Sequence, residues 1–189
     1  MKKLLTAILI LALLPLASAC RERGPNFGEL ETVKYAHETG YEITLPASWQ
    51  MERDDPRAVC FLSEDGGVAV NIVTELGGFG FYALPELVTM FLESESLTSN
   101  ISGLKRDSVP PVSDKKTQYR QVLSGKLPEG DDVYLDVFIY APMNSVRYYV
   151  VFSAGKEDYA LNSNLFTQII KSFELNKTKD EIYSLMNTS

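Results

Sequence analysis

The chain has 189 residues, a formal net charge of −7 and hydrophobic residues at 45% of its positions. This length is sufficient for one domain with a hydrophobic core. The acidic balance excludes nucleic acid as a ligand, because a chain of this charge is repelled by a polyanion.

The first 19 residues have the three zones of a secretory signal peptide. Positions 2 and 3 are lysines, positions 4–16 form an apolar run, and positions 17–19 are small. The apolar run is shorter than the roughly 20 residues that a membrane-spanning helix needs. The pattern therefore predicts export, with cleavage between Ala19 and Cys20.

The stretch "LPLASAC" at 14–20 resembles the lipobox of bacterial lipoproteins. The resemblance implies that the Cys20 thiol receives a diacylglycerol, with fatty acids such as palmitate, and becomes the first residue of the mature chain. Lipoboxes favour Leu three residues before the cysteine, and Ala17 stands there. Cleavage by the general signal peptidase, which would leave a free or disulfide-bonded cysteine, is the alternative.

Acylation predicts an exported protein anchored in a bacterial cell envelope. The location would be the outer membrane or periplasmic face in a Gram-negative cell, or the outer face of the cell membrane in a Gram-positive one. Loss of Lys2 and Lys3 takes the formal charge from −7 to −9. Acyl chains, not charge, must then provide membrane attachment.

Acylation of Cys20 would leave Cys60 as an unpaired thiol. Cys60 lies in the apolar run "AVCFL". A buried free cysteine behaves as a small hydrophobe, whereas a reactive thiol needs exposure and a lowered pKa. We therefore predict a core cysteine.

The mature chain begins with the lipidated cysteine and a flexible tether over 20–32, which would reach at most ~40 Å when extended. Strands at 33–37 and 41–45 then flank a turn in which Gly40 is free to take a positive φ. Strands in "AVCFLSE" and "VAVNIVTEL" flank "DGG", a stronger hairpin signal.

Helical periodicity begins at Leu84. An apolar stripe indicates a helix and comprises Leu84, Leu87, Val88, Phe91 and Leu92. Three more strands are predicted in "TQYRQVLSGKL", "VYLDVFIYA" and "VRYYVVFSA", followed by a helix over 158–173 and a polar tail over 176–189. Short hairpin links require antiparallel pairing, so the predicted class is α+β: an antiparallel sheet of about six to eight strands with helices packed on it.

Two segments resemble PsbP-like domains, which also occur in DcrB-type bacterial lipoproteins. They are "GYEITLPASW" (40–49) and the close from "VVFSAGKEDY" to "FTQIIKSFEL". The resemblance spans 33–175 and implies an α/β/α sandwich. It carries over no catalytic set, because the family is a scaffold with many roles. Trp49, the only tryptophan, is expected to seal one end of the core.

The insertion "GGFGFYA" (77–83) has the glycine spacing of a dinucleotide-binding turn. The strand before it has a hairpin partner and alternates polar with apolar residues, unlike a buried parallel strand. We therefore interpret it as an apolar-tipped loop and take Phe79, Phe81 and Tyr82 as candidate contacts to a partner or ligand.

The sequence contains only weak signals for metal binding or catalysis. His37 is the only histidine, which excludes the usual zinc sites, and we interpret it as a surface or hydrogen-bonded structural residue. The acidic group Glu52, Asp54 and Asp55 lacks the periodicity of a calcium loop and is interpreted as a solvated turn. Ser-x-x-Lys spacings, of which Ser153/Lys156 has the best setting, lack companion motifs. We predict no metal, no cofactor and no catalytic residues.

Three functions remain open. The first is a lipid-anchored, non-enzymatic envelope protein that binds a partner protein or supports an envelope assembly. The second is a carrier of a small apolar ligand or lipid between sheet and helix, indicated by tyrosine-rich strands. The third, a hydrolase, is a residual alternative.

Overall fold

A computed structural model describes residues 24–76, 82–108, 117–143, 145–178, 180–182 and 184. The helices within these residues are a short 3-10 helix (Phe27–Glu29), α1 (Leu84–Leu92), α2 (Glu95–Thr98) and α3 (Lys156–Lys171). The strands are β1 (Thr32–His37), β2 (Tyr41–Pro46), β3 (Gln50–Asp55), β4 (Ala58–Leu62), β5 (Val68–Leu76), β6 (Ser102–Arg106), β7 (Gln118–Lys126), β8 (Asp132–Met143), β9 (Val146–Gly155) and β10 (Glu174–Leu175). None of the described helices is long and apolar enough to cross a membrane.

A seven-stranded antiparallel sheet forms the centre of the domain, in the order β3-β4-β5-β9-β8-β7-β6. A second, three-stranded sheet has the order β1-β2-β10. Adjacent strands are joined mainly by short turns, and such turns allow only antiparallel pairing. The predicted fold class is confirmed.

Each face of the large sheet is covered by a hydrophobic layer. On one face Leu87, Val88 and Phe91 of α1 share a core with β7 and β8. On the other face, Phe166 of α3 stacks on Phe152 of β9 with ring centroids 4.4 Å apart, and β2 joins the same core. Period-two alternation in the strands sends neighbouring side chains into the two layers.

Both predicted hairpins form. β1 pairs with β2 from Thr32↔Pro46 to His37↔Tyr41, and Gly40 in the turn has φ 95°, a conformation that favours glycine. β4 pairs with β5 across the turn at 63–67. The apolar stripe of α1 is also confirmed, since Leu87, Val88 and Phe91 are buried.

The acidic group Glu52, Asp54 and Asp55 was wrongly assigned to a turn, because all three residues lie on β3, an edge strand. An edge strand pairs on one side only, and most of β3 is exposed or half-buried. Its sequence therefore lacks the apolar alternation that reveals a strand. β6, at the opposite edge, was missed for the same reason.

The N-terminal segment 24–30 packs on the domain, although it lies in the region that the sequence predicts as tether. Gly24 approaches the carbonyl oxygen of Leu161 in α3 so closely that a β-carbon would overlap it. Phe27 and Leu30 pack against the core. The backbone N–H of Ala47 donates to the Glu31 carbonyl at 2.8 Å.

Part of the predicted polar tail also contacts the domain. The Asn176 side-chain amide donates to the Tyr41 carbonyl at 3.2 Å, and the Lys177 ammonium donates to the Glu38 carbonyl at 2.8 Å. Ile182 lies in a short helical stretch, is fully buried and lies beside Gly40. These contacts join residues that are about 140 positions apart in the sequence.

We call the two ends of the large sheet the seat end, where the N-terminal segment packs, and the loop end, where the predicted contact segment begins. The seat end holds segment 24–30, the β4–β5 turn at 63–67, the β7–β8 turn at 127–131 and the start of α3. The loop end holds Leu76, where β5 ends, together with the β1–β2 and β8–β9 turns. β9 runs from loop end to seat end over ten residues, a length of about 30 Å.

Candidate functional site

The predicted contact segment leaves the sheet at the loop end. Phe79 and Phe81 lie outside the described residues, whereas Tyr82 is described and 44% exposed. Tyr82 stands between the end of β5 and the start of α1, where Pro85 occupies the first helical turn. β5 therefore ends at the end of the sheet furthest from segment 24–30, whereas the start of α1 lies beside β6, where the Pro85 carbonyl accepts a hydrogen bond from Arg106 at 3.0 Å.

A buried polar cluster around His37 lies at the same end. His37 Nδ1 accepts the backbone N–H of Thr39 at 3.3 Å and lies 2.7 Å from the Thr39 hydroxyl oxygen. That hydroxyl is 2.9 Å from the hydroxyl of Thr74 in β5. The Tyr148 hydroxyl donates to the Thr39 carbonyl at 2.9 Å. The cluster therefore joins the tip of the β1–β2 hairpin to the large sheet, and the interpretation of His37 as a hydrogen-bonded structural residue is confirmed.

The order Asp54, His37, Thr39 resembles the proton relay of a nucleophilic enzyme. His37 Nε2 lies 3.8 Å from the Asp54 carboxylate, on the side of the ring opposite Thr39. A nucleophile must reach substrate, but Thr39 is only 5% exposed and its hydroxyl contacts both His37 and Thr74. The arrangement supports the hairpin and does not present an attacking hydroxyl.

Burial is the main reason that the pKa of His37 lies below its ordinary value of 6.5, and Lys177 lowers it further. Asp54 and Glu38 act in the opposite direction. The unfolded chain therefore binds a proton at a higher pH than the folded chain does. Below about pH 6.5 this difference lowers the free energy of unfolding as pH falls.

We expect His37→Asn to remove this pH-dependent loss of stability. Asparagine does not titrate, but its side chain can still accept the Thr39 N–H. Urea unfolding between pH 7.5 and pH 5 should show a smaller loss of stability in the variant than in the parent chain. Parallel curves for the two proteins would show that His37 contributes nothing to the pH dependence.

A buried ion pair lies beneath α3 and was missed by sequence reasoning. Arg120 of β7 donates to both carboxylate oxygens of Asp136 in β8, at 2.7 and 2.5 Å. Arg120 also donates to the Thr167 hydroxyl of α3 at 2.9 Å. The side chains of Arg120 and Asp136 are 4% and 0% exposed. The pair fixes α3 over β7 and β8, and its only sequence signal is a charge interrupting each apolar strand.

The tyrosines that indicated a ligand pocket contact the protein's own groups. Tyr149 donates to the Glu75 carboxylate at 2.9 Å, Tyr119 donates to the Gln121 side chain at 3.2 Å, and Tyr134 stacks on Tyr159 with centroids 5.0 Å apart. Burial raises the pKa of Tyr149. These side chains act as packing and hydrogen-bonding residues.

Two clefts open at the seat end. One has a volume of about 190 Å³ and is lined by Trp49, Pro25, Leu30 and the β4–β5 turn. Trp49 packs against the core there, as predicted. The other, of about 330 Å³, is lined by polar and apolar groups in nearly equal measure and includes Lys105, Lys126 and Asp132. An apolar ligand is usually enclosed by a predominantly apolar pocket, whereas each of these two clefts is open and mixes polar with apolar groups.

Cys60 is a buried free thiol, as predicted. Burial raises its pKa to about 11, so it is protonated at neutral pH. Among the described residues, no group of three or more His, Cys, Asp or Glu side chains is placed to hold a metal ion. Asp54 instead accepts a hydrogen bond from Tyr35 at 3.1 Å, and Asp55 pairs with Arg53.

The pairing of β5 contradicts the dinucleotide-binding alternative. It pairs antiparallel with β4 on one side and with β9 on the other. A dinucleotide-binding turn follows a parallel strand of a βαβ unit, so the glycine spacing after β5 lacks its structural context. Gly78 and Gly80 themselves lie outside the described residues.

No protein-family model matches this sequence, and no curated protein matches it. Solved structures do match the fold. The Ran-binding protein Mog1p of Saccharomyces cerevisiae is similar with a TM-score of 0.61 and 8% identity, over 79% of this chain and 97% of that one. The cyanobacterial PsbP protein CyanoP of Synechocystis sp. PCC 6803 is similar with a TM-score of 0.59 and 11% identity, over 84% of this chain and 98% of that one.

The chain has a PsbP-like fold. The resemblance that "GYEITLPASW" and the closing segment carry is thereby confirmed for the architecture. Identities of 8% and 11% support the fold alone, and roles of individual residues do not transfer at that distance.

Proposed function

We propose that this chain is a lipid-anchored, non-enzymatic envelope protein that binds a partner protein at its loop end. The observation that carries the proposal is the placement of the two functional segments predicted from sequence. β5, which leads into the predicted contact segment, ends at the loop end, and the segment that follows Cys20 packs towards the seat end. This arrangement supports an anchor at one end of the sheet and a contact surface at the other.

The fold is compatible with protein binding, since the structurally similar Mog1p is described as a Ran-binding protein. The described polar clusters also fit a binding role better than an enzymatic one. Thr39 is enclosed by His37 and Thr74, and Arg120 is neutralised by Asp136. Each group is engaged in holding elements together, and neither is presented to solvent. Assays against a broad ester and glycoside panel test this part, and turnover abolished by a point variant would contradict it.

Cys20→Ala tests the anchor. We expect the variant to lose incorporation of radiolabelled palmitate and to move from the membrane fraction to the soluble fraction, because the thiol is the proposed site of acylation. Cys60→Ala is the matched control and should keep full labelling, since Cys60 is buried. Equal labelling of the parent chain and Cys20→Ala would refute the assignment.

A photoreactive amino acid at position 82 tests the contact surface in cells. The matched control is position 51, because Met51 is 49% exposed but lies on β3 near the seat end. We expect position 82 to capture one partner protein that position 51 does not. The purified partner should bind the parent chain and lose affinity for a chain lacking 77–81. Equal capture from both positions, or unchanged affinity of the deletion variant, would count against the loop end.

A further inference from the structure

Segment 24–30 fixes where the chain emerges from the domain. Asn26 caps the 3-10 helix by accepting the Gly28 N–H at 3.4 Å, and Phe27 and Leu30 pack against the core. Pro25 and Leu30 line the cleft that also contains Trp49. With Gly24 against Leu161, the first described residues are part of the folded domain.

Few residues then separate the domain from the proposed anchor. Cys20 precedes Gly24 by four positions. Whatever their conformation, four residues span at most about 14 Å, because an extended chain covers ~3.3–3.6 Å per residue. The predicted tether of ~40 Å is thereby shortened to about a third of its length.

We propose that the seat end faces a lipid bilayer at close range and that the loop end points away from it. The inference rests on the proposed acylation of Cys20. The occupant of this surface is a bilayer, since the α-carbon of the acylated Cys20 must lie within about 14 Å of Gly24. The loop end then stands about 30 Å further out, the length of β9.

The seat end is acidic. The two turns there carry Glu64, Asp65, Glu129 and Asp131. The first turn of α3 adds two more acidic residues. These carboxylates are repelled by anionic headgroups, so charge does not attract the seat end to the bilayer and the proposed acyl chains alone hold it there.

Energy transfer from tryptophan to the membrane tests the orientation. The acylated mature chain is placed in phosphatidylcholine vesicles that contain a dansyl-labelled lipid. Trp49, the only tryptophan, reports on the seat end. The double variant Trp49→Phe/Glu38→Trp moves the donor to the exposed β1–β2 turn at the loop end. We expect transfer from position 49 to exceed transfer from position 38 several-fold, because the acceptors lie in the plane of the bilayer.

An insertion shows whether the short connection sets this distance. Twelve Gly and Ser residues between Arg23 and Gly24 would add a flexible spacer of roughly 20 Å root-mean-square length. We expect the insertion to reduce transfer from Trp49 several-fold. Circular dichroism confirms that each variant is folded, and the mass of the intact protein confirms that each is acylated.

Substitution at Gly24 tests whether the contact with Leu161 holds segment 24–30 on the domain. Gly24→Ala would place a methyl group on the Leu161 carbonyl, whereas Gly28→Ala meets nothing within 4 Å and is the matched control. We expect Gly24→Ala, but not Gly28→Ala, to expose Phe27 to chymotrypsin and to lower transfer from Trp49. Equal cleavage of the two variants would show that segment 24–30 is not held by this contact.

The outcomes separate the two proposals. An acylated chain that gives equal transfer from positions 49 and 38, or transfer unaffected by the insertion, overturns the orientation and leaves the anchor intact. A chain whose mass contains no acyl group overturns the proposed anchor, and the orientation falls with it.

Discussion

Asp136→Ala is expected to lower the free energy of unfolding by about 3–5 kcal/mol, because it leaves the buried Arg120 guanidinium without a counter-charge. Asp136 is fully buried and accepts two hydrogen bonds from Arg120, which also reaches Thr167 on α3. For a domain of this size the loss corresponds to a fall of about 6–20 °C in melting temperature. Urea unfolding followed by circular dichroism measures it.

Two further variants identify the cause. The double substitution Arg120→Met/Asp136→Leu removes both charges and should recover most of the lost stability, since an apolar pair of similar volume commonly replaces a buried ion pair without loss. Asp132→Ala breaks the ion pair with Lys126 in the same two strands, but both side chains are about half exposed and we expect little change. A double variant as unstable as Asp136→Ala would show that packing, not the orphaned charge, is responsible.

Ile182→Ala is expected to lower the free energy of unfolding by about 2–5 kcal/mol, the range for truncating a buried aliphatic side chain. Ile182 is fully buried beside Gly40, in a segment that is also bonded to the hairpin through Asn176 and Lys177. Thermal unfolding measures the effect. Asp180→Ala, on the exposed side of the same short helix, is the matched control and should melt close to the parent chain.

Truncation after Leu175 extends this test. The shortened chain should be at least as unstable as Ile182→Ala, because it also loses both hydrogen bonds to the hairpin. An unchanged melting temperature would mean that the segment contributes nothing to stability in solution.

Local patterns in the sequence predicted the elements whose residues carry a strong periodicity. The hairpin around Gly40 follows from a turn glycine between alternating strands, and α1 follows from its apolar stripe. β3 and β6 were missed because edge strands pair on one side and tolerate polar residues on both faces. The burial of Cys60 could also be predicted from the sequence, because the residue lies in an apolar run.

The interactions between distant segments were not accessible from local patterns. Arg120 and Asp136 meet because the register of β7 and β8 sets Val122 opposite Asp136, and that register depends on the turn between them. Thr39, which contacts His37, reaches Thr74 only because the small sheet packs on the large one. Of the predicted contact residues only Tyr82 lies within the described part of the chain, and its exposure just before α1 could not be predicted from a local pattern.

Both edges of the large sheet are irregular, and this matters for neighbouring copies in a membrane. The pairing of β3 with β4 shifts between Met51 and Arg53, and that of β6 with β7 shifts between Ser102 and Lys105. Anchored copies would share one height and diffuse in two dimensions, so their edge strands would meet repeatedly at the same level. Bulged, charged edges offer no continuous row of backbone partners, so copies anchored as proposed would meet without joining their sheets into fibres.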